Sequence, residues 1–354
     1  MLKSLEGWQA KLMVSLPALA LLWAVVVIGS AVIGSANISP LTAAGILVHK
    51  VPVLGPALVI PDWTRTMEVI IWKIRFPRIL MGSLVGAGLA VAGAAFQGLL
   101  RNPLADPYTV GVSSGAAVGA VLVMLAGAGI KGVPGIGLVP VGAFLGAILT
   151  IITVYRLARI GGRVAVETLI LAGVVVGSFL TAILSFMLTR AYHNLEQVVF
   201  WLMGSLSLRS WGHVAWSLPA LLAGMVIIGF LARELNLLAL GEETAQHLGV
   251  GVERAKVLIL FAASLVTAQA VAMAGTIGFV GLVTPHVVRM VLGPDHRVLL
   301  PVAALTGSIF LVLADTLART VIAPAELPVG VITAFLGAPF FGYLLRTRQR
   351  SMWV

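Results

Sequence analysis

The chain has 354 residues, 60% of them hydrophobic and only 10% charged, against about 25% charged in ordinary soluble proteins. This excludes a water-soluble globule. At roughly 20 apolar residues per crossing, the length fits about ten membrane helices in one integral domain, 1–354, with nothing large left over. The net charge of +10 matches basic membrane loops better than nucleic acid, since no basic patch interleaved with aromatics occurs, and the absence of cysteine excludes disulfides, thiolate metal sites and Cys catalysis.

The first apolar stretch, about 14–34, follows Lys3 and Lys11 and is longer than a signal-peptide core, so it is predicted to be a retained helix entering from the cytoplasm. Residues 35–78 carry Pro40, Pro52, Pro56, Pro61 and Pro77, too punctuated to span. Further spans are predicted at about 79–100, 109–130, 136–155 and 166–188. A short apolar piece, 198–208, is too short to cross. The remaining spans are about 213–232, 255–274, 276–292, 298–318 and 327–345. The segment 275–292 holds a Thr284-Pro285-His286 interruption, predicted to break its helix.

Ten crossings put both termini on one side. The basic loops 156–163, 254–256 and 289–297, and the tail Arg346, Arg348 and Arg350, then face the cytoplasm, as the positive-inside rule requires. Lys50, Arg65, Lys73, Arg75 and Arg78 fall on the opposite side, which suits a long connection that escapes the rule, a different topology, or a docking face for an acidic partner. Glycines at helical spacing (82/86, 111/115/119, 142/146, 173/177) predict close helix packing. A faint echo relates the segment ending at Pro103 to the one ending at Pro285, which would make helices two and seven an inverted repeat.

Catalytic signals are missing. There is no GxxxxGK[ST] phosphate loop, no HExxH, no paired carboxylates on a helix face and no His/Asp/Glu ligand cluster. Neither a cofactor nor a metal site is expected, and the chain is not expected to be an enzyme. Acidic residues at membrane depth, the usual mark of ion-coupled carriers, are few. Glu167 suits a helix start, and Asp315 is predicted to pair locally with Arg319. An outside energy source follows.

The loop 237–254 offers the lever for it. Gly241 precedes Glu242 and Glu243, which suit a helix start; Ala245 and Leu248 form a small apolar face, and Gly249 stops the turn. A short amphipathic helix on the cytoplasmic side is predicted, either a solvated connector or a knob for a cytoplasmic ATPase.

The segments RFPRILMGSLVGAGLAVAGAAFQGLLRNPLADPYTVGVSSGA (75–116), LGEETAQHLGV (240–250), GTIGFVGLVTPHVVRM (275–290), DHRVLLP (295–301), LADTLAR (313–319) and ELPVGVITAFLGAPFF (326–341) occur in this order. Together they resemble the permease family of binding-protein-dependent ABC importers for iron–siderophore complexes, haem and vitamin B12. The resemblance implies an all-α polytopic fold of the type II importer class, about ten helices per subunit. It implies a homodimer or close-paralogue pair in the cell (inner) membrane with cytoplasmic termini. It also implies two cytoplasmic ABC ATPase subunits and an extracytoplasmic substrate-binding protein. Gly241, Glu242, Glu243, Ala245, Leu248 and Gly249 match the family's coupling segment, and Arg75, Arg78 and Arg319 its docking arginines. The pathway wall is expected from helix five, the 198–208 piece and parts of helices eight and ten. The wording ADPYTVGVSSGA favours iron–siderophore cargo, then haem, then cobalamin.

Overall fold

The computed structural model describes residues 7–347 except 35, 37, 54, 56, 57, 128–135 and 193. Lys3, His193, Arg348 and Arg350 therefore lie outside the described residues, as does the end of the span predicted at 109–130. In chain order the elements are α1 (Trp8–Val32), α2 (Pro40–His49), α3 (Arg65–Leu99), α4 (Val112–Leu125), α5 (Val139–Ala158), the two-residue strands β1 (Arg159–Ile160) and β2 (Arg163–Val164), and α6 (Val166–Leu188). There follow α7 (Leu195–Leu202), α8 (Trp211–Phe230), α9 (Ala232–Leu238), α10 (Glu242–His247), α11 (Val252–Ala274), α12 (Val280–Leu292), α13 (His296–Ala318) and α14 (Val329–Thr347). Among the described residues seven helices are long and apolar enough to cross a membrane. The shorter apolar helices α4, α12 and α14 stand at the other three predicted spans, and α2 is a fourth short apolar helix.

Two predicted interruptions are not where the prolines suggested. The second span starts at Arg65, not near 79, because Val69–Arg75 forms a π-helical stretch that runs straight into α-helix from Phe76. Pro77 sits where the π-helical winding passes into α-helix, and the Trp72 carbonyl five residues back accepts instead from the Trp211 indole N–H at 2.8 Å. Likewise Pro285 sits inside an unbroken α12. The carbonyl it fails to engage belongs to Gly281, which packs against Gly93 of α3, and the Thr284 hydroxyl donates back to the Val280 carbonyl. The real break is upstream, at residues 275–279, where Gly275 and Phe279 take φ of 70° and 69°. The proposed sequence echo fails locally for the same reason: Gly93 is mid-helix, whereas its counterpart Gly275 ends one.

Small residues place α3 at the centre. Its C-terminal two-thirds is buried almost throughout, against α13, α11, α12 and α8. Gly86 lies against the backbone of Gly307, and Gly93 against that of Gly281. A Cβ at either position would fall inside the opposing carbonyl, so these helices touch backbone to backbone. The same device joins α4 to α5, with Gly115 facing Gly146 and Gly119 facing Gly142.

Candidate functional site

Two spans are short. α4 has 14 residues and α12 has 13, about 20 Å each at 1.5 Å per residue, against a hydrocarbon core of about 30 Å. Each is preceded by irregular backbone, residues 100–111 and 275–279, and these two segments meet. The Tyr108 hydroxyl donates to the Ile277 carbonyl at 2.9 Å and accepts from the Ile277 N–H at 3.1 Å. Asp106 holds the turn by accepting from the Tyr108 N–H at 2.8 Å. Pro107 packs against Gly281, and Phe279 against Gly337 of α14. Non-helical backbone at membrane depth persists only where protein or a cavity satisfies it, and here one phenol satisfies both groups of Ile277.

Beside this joint, between the start of α4 and the middle of α6, lies an open cleft of about 410 Å³ lined by Tyr108, Ser114, Gly173, Gly177 and Ser178. The outward face of α6 above and below it is apolar and bare: Leu171, Val174, Val175, Phe179 and Phe186 are all more than half exposed. α14 shows the same character at Phe335. The sequence reading assigned the pathway wall to α6, the 198–208 piece and parts of α12 and α14; α6 and α14 have unpartnered apolar residues, α12 is largely buried, and 195–202 forms a short helix.

At one end of the bundle the predicted lever is a short helix, α10, entered through Gly241 at φ 111° and left through Gly249 at φ 83°. Val250 N–H returns to the Ala245 carbonyl, closing the helix end. Ala245 is wholly buried against the chain, so it seats the lever and is not available to a partner, whereas Leu248 is 52% exposed. What fastens the lever is a residue the sequence reading missed. The buried Lys256 ammonium donates to Glu242 at 2.9 Å, to the Val164 carbonyl at 2.6 Å and to Glu253 at 2.7 Å. All three of its donors are used. Glu253 in turn accepts from the Val164 N–H at 3.0 Å. One cation thus ties α10, the β1–β2 turn and the foot of α11. Its signal in the sequence was a lone lysine about one turn past the acidic start of α11.

At the opposite end the three flagged arginines do converge, but their donors turn into the bundle. Arg75 is only 7% exposed; it caps the C-terminus of α1, donating to the carbonyls of Ala31 at 2.6 Å, Val32 at 2.9 Å and Ala36 at 3.3 Å. Arg319 donates to the Ile33 carbonyl at 2.8 Å and to the Ser30 hydroxyl and carbonyl. A helix end has unsatisfied carbonyls and partial negative charge, which guanidinium groups match. Asp315 does not pair with Arg319 as predicted. It takes a forked contact from Arg78, at 2.8–3.2 Å, and Arg78 also holds Glu326 at 2.9 Å. Burial opposes ionisation of Glu326, yet Arg78 and the Ser207 hydroxyl keep its carboxyl below the usual range. These arginines therefore have structural employment, and Arg65, Lys73 and Arg190 are exposed cations of this end.

The FecCD transport family matches residues 21–347. The cobalamin import system permease protein BtuC of Halobacterium salinarum is 49% identical over 313 residues, covering 85% of this chain and 83% of that protein. The hemin transport system permease protein HmuU of Yersinia pestis is 42% identical over 297 residues, covering 82% and 87%. A solved structure of a metal-chelate type ABC transporter in an inward-facing conformation superposes with a TM-score of 0.80 at 32% identity, covering 94% of this chain and 98% of that one.

Proposed function

The chain belongs to the FecCD transport family, and from that premise we propose how its parts work. It is the membrane permease subunit of a binding-protein-dependent ABC importer, moving an iron complex or cobalamin inward while separate ATPase subunits supply the energy. It performs no chemistry of its own in this scheme. The relative at 49% identity is named for cobalamin and the one at 42% for hemin; both name bulky chelates, and cobalamin accordingly stands level with the iron complexes among the cargoes.

The finer assembly is a homodimer in the cell membrane with both termini cytoplasmic, two ATPases beneath it and a substrate-binding protein above. The bare apolar face of α6 and the cleft beside it would then line the central pathway between copies. The single observation that carries the coupling assignment is α10: a helix end exposing Leu248, framed by Gly241 and Gly249, with Glu242 and Glu243 at its start and bolted to α11 through Lys256. A push on Leu248 reaches α11 as a rigid displacement, because Ala245 and Lys256 leave the lever no room to pivot. At the outer face Arg65 and Lys73 would meet acidic groups of the binding protein. Arg75, Arg78 and Arg319 would frame that face and supply its field, which governs encounter more than affinity.

Reconstitution with the ATPase and binding protein tests this. Leu248→Asp should leave basal ATP hydrolysis largely intact and lower uptake at least about tenfold, since a desolvated apolar anchor is a typical interface hot spot. Full uptake by Leu248→Asp would remove α10 from the coupling role.

A further inference from the structure

At the outer end a second cavity, of about 280 Å³, lies between the start of α5, α7 and the 203–210 connection. Its polar lining is Gln197, Ser205, Ser207 and Arg209, and Phe200 and Trp201 supply an aromatic wall. Arg209 stands out among the arginines of this end. Its Nε is sealed from solvent without an acceptor, and among the described residues the side chain makes no hydrogen bond or ion pair. The two carboxylates nearest Arg78, Asp315 and Glu326, are both held by that arginine. Burial and the charge of Arg78 push its pKa down to about 10, which still leaves it cationic at neutral pH. Leu208, just before it, takes a left-handed φ of 60°, uncommon for a leucine, and the chain reverses there so that Arg209 lines the cavity while Leu208 is 95% exposed.

A half-buried guanidinium with its Nε sealed and no counter-charge is costly to hold unless something pairs with it. The neighbouring donors point the same way. Ser205 accepts from the Ser207 N–H at 3.1 Å, which leaves its own hydroxyl proton to donate into the cavity. Gln197 adds an exposed amide. The chemistry is a cationic donor cradle against an aromatic face.

We propose that this cavity is a cargo subsite at the outer mouth, in which Arg209 receives an anionic oxygen group, a carboxylate or a phosphate, borne on a large flat-faced chelate. The assignment rests on the import-permease reading and sharpens it, making Arg209 a specificity-determining residue that admits anionic chelates. Phe200 and Trp201 would receive the apolar face while Arg209 forms the paired, charge-assisted hydrogen bonds that guanidinium offers to oxyanions.

The test is a binding titration of the purified permease in nanodiscs, read by quenching of tryptophan fluorescence, since Trp201 lines the cavity. Hemin carries two carboxylates, hemin dimethyl ester the same face with none, cyanocobalamin one phosphodiester, and ferric citrate carboxylates without a macrocycle. Arg209→Gln should weaken binding of the matching anionic probe about tenfold or more, the scale of a lost charge-assisted pair. Arg209→Lys, which keeps the charge and loses the fork, should bind between wild type and Arg209→Gln, and the ester should bind all three proteins alike. A loss confined to hemin and ferric citrate assigns a carboxylate; one confined to cyanocobalamin assigns a phosphate. Because Arg209→Gln removes an unpaired cation, it should melt no lower than the unliganded wild type. Equal binding of all three anionic probes by wild type and Arg209→Gln overturns the proposal, and so does a lowered melting temperature with unchanged binding. Charge-dependent binding without any ATP-driven uptake would instead fault the import reading and leave the subsite standing.

Discussion

The α-helical part of α3 and the whole of α6 are nearly equal in length, 24 and 23 residues, and both are apolar. Their fates differ completely. The most apolar window of α3 is 94% buried and that of α6 only 22%. Hydrophobicity does not separate them, because lipid is as apolar as a protein interior. Side-chain size does. Along α3 the residues facing neighbours are Gly82, Gly86, Ala90, Gly93 and Ala94, which let backbones touch, while α6 carries Leu171, Val174, Val175 and Phe179 on its bare face. The small-residue helix is the hub, and the large-residue helix is kept for a surface.

The sharpest way to break this contrast is to give the hub a side chain. Gly93→Val would place two methyl groups where the Gly281 carbonyl lies, and backbone cannot step aside as a side chain can. Overpacking of this kind should cost about 3 kcal/mol or more, separating α3 from α12. Thermal unfolding in detergent checks it: a melting temperature equal to wild type would show that the two helices are not locked at this point.

A smaller effect is expected at the joint between the two short spans. Tyr108→Phe keeps the ring and removes the hydroxyl that serves both backbone groups of Ile277. Leaving a buried donor and acceptor unpaired costs about 1–3 kcal/mol. Faster amide exchange confined to residues 275–279 should accompany the loss, and unchanged exchange there would show that Tyr108 does not hold the break.

The contrast also explains what could be read without coordinates. α6 was legible to the residue, from 166 to 188, because an acidic first turn opens it and no proline interrupts it. The lever 242–247 was legible because glycines bracket it and acids start it. Pro77 and Pro285 misled, since whether a proline breaks a helix depends on what its freed carbonyl or skipped donor meets. That is set by π-helical winding before Pro77 and by Gly93 opposite Gly281, neither of which is local. The pairing of Asp315 was missed for a similar reason. Arg319 is four residues away, but Arg78, 237 residues distant in sequence, is the one whose fork is free. Arg319 is already occupied by the end of α1. The Lys256 cluster likewise joins residues 92 apart. Patterns within one helix were visible in the sequence, and charges that bind helices together were not.

The gentlest perturbation bears on the other side of the comparison. Val175 on α6 is 56% exposed in the single chain, and its neighbours Leu171 and Phe179 are exposed beside it. Trimming it by Val175→Ala removes two methyl groups from a surface that packs on nothing within the subunit, so the stability of an isolated subunit should change by no more than about 0.5 kcal/mol. If this face lines a pathway or meets a second copy, the change belongs to the assembly. Melting of the isolated subunit should be unaffected, while the dissociation of a detergent-solubilised pair, followed by dilution, should shift. A loss of several degrees in a monomeric preparation would mean that the α6 face is already covered by its own chain, and the distinction between hub and surface helix would fail at this residue.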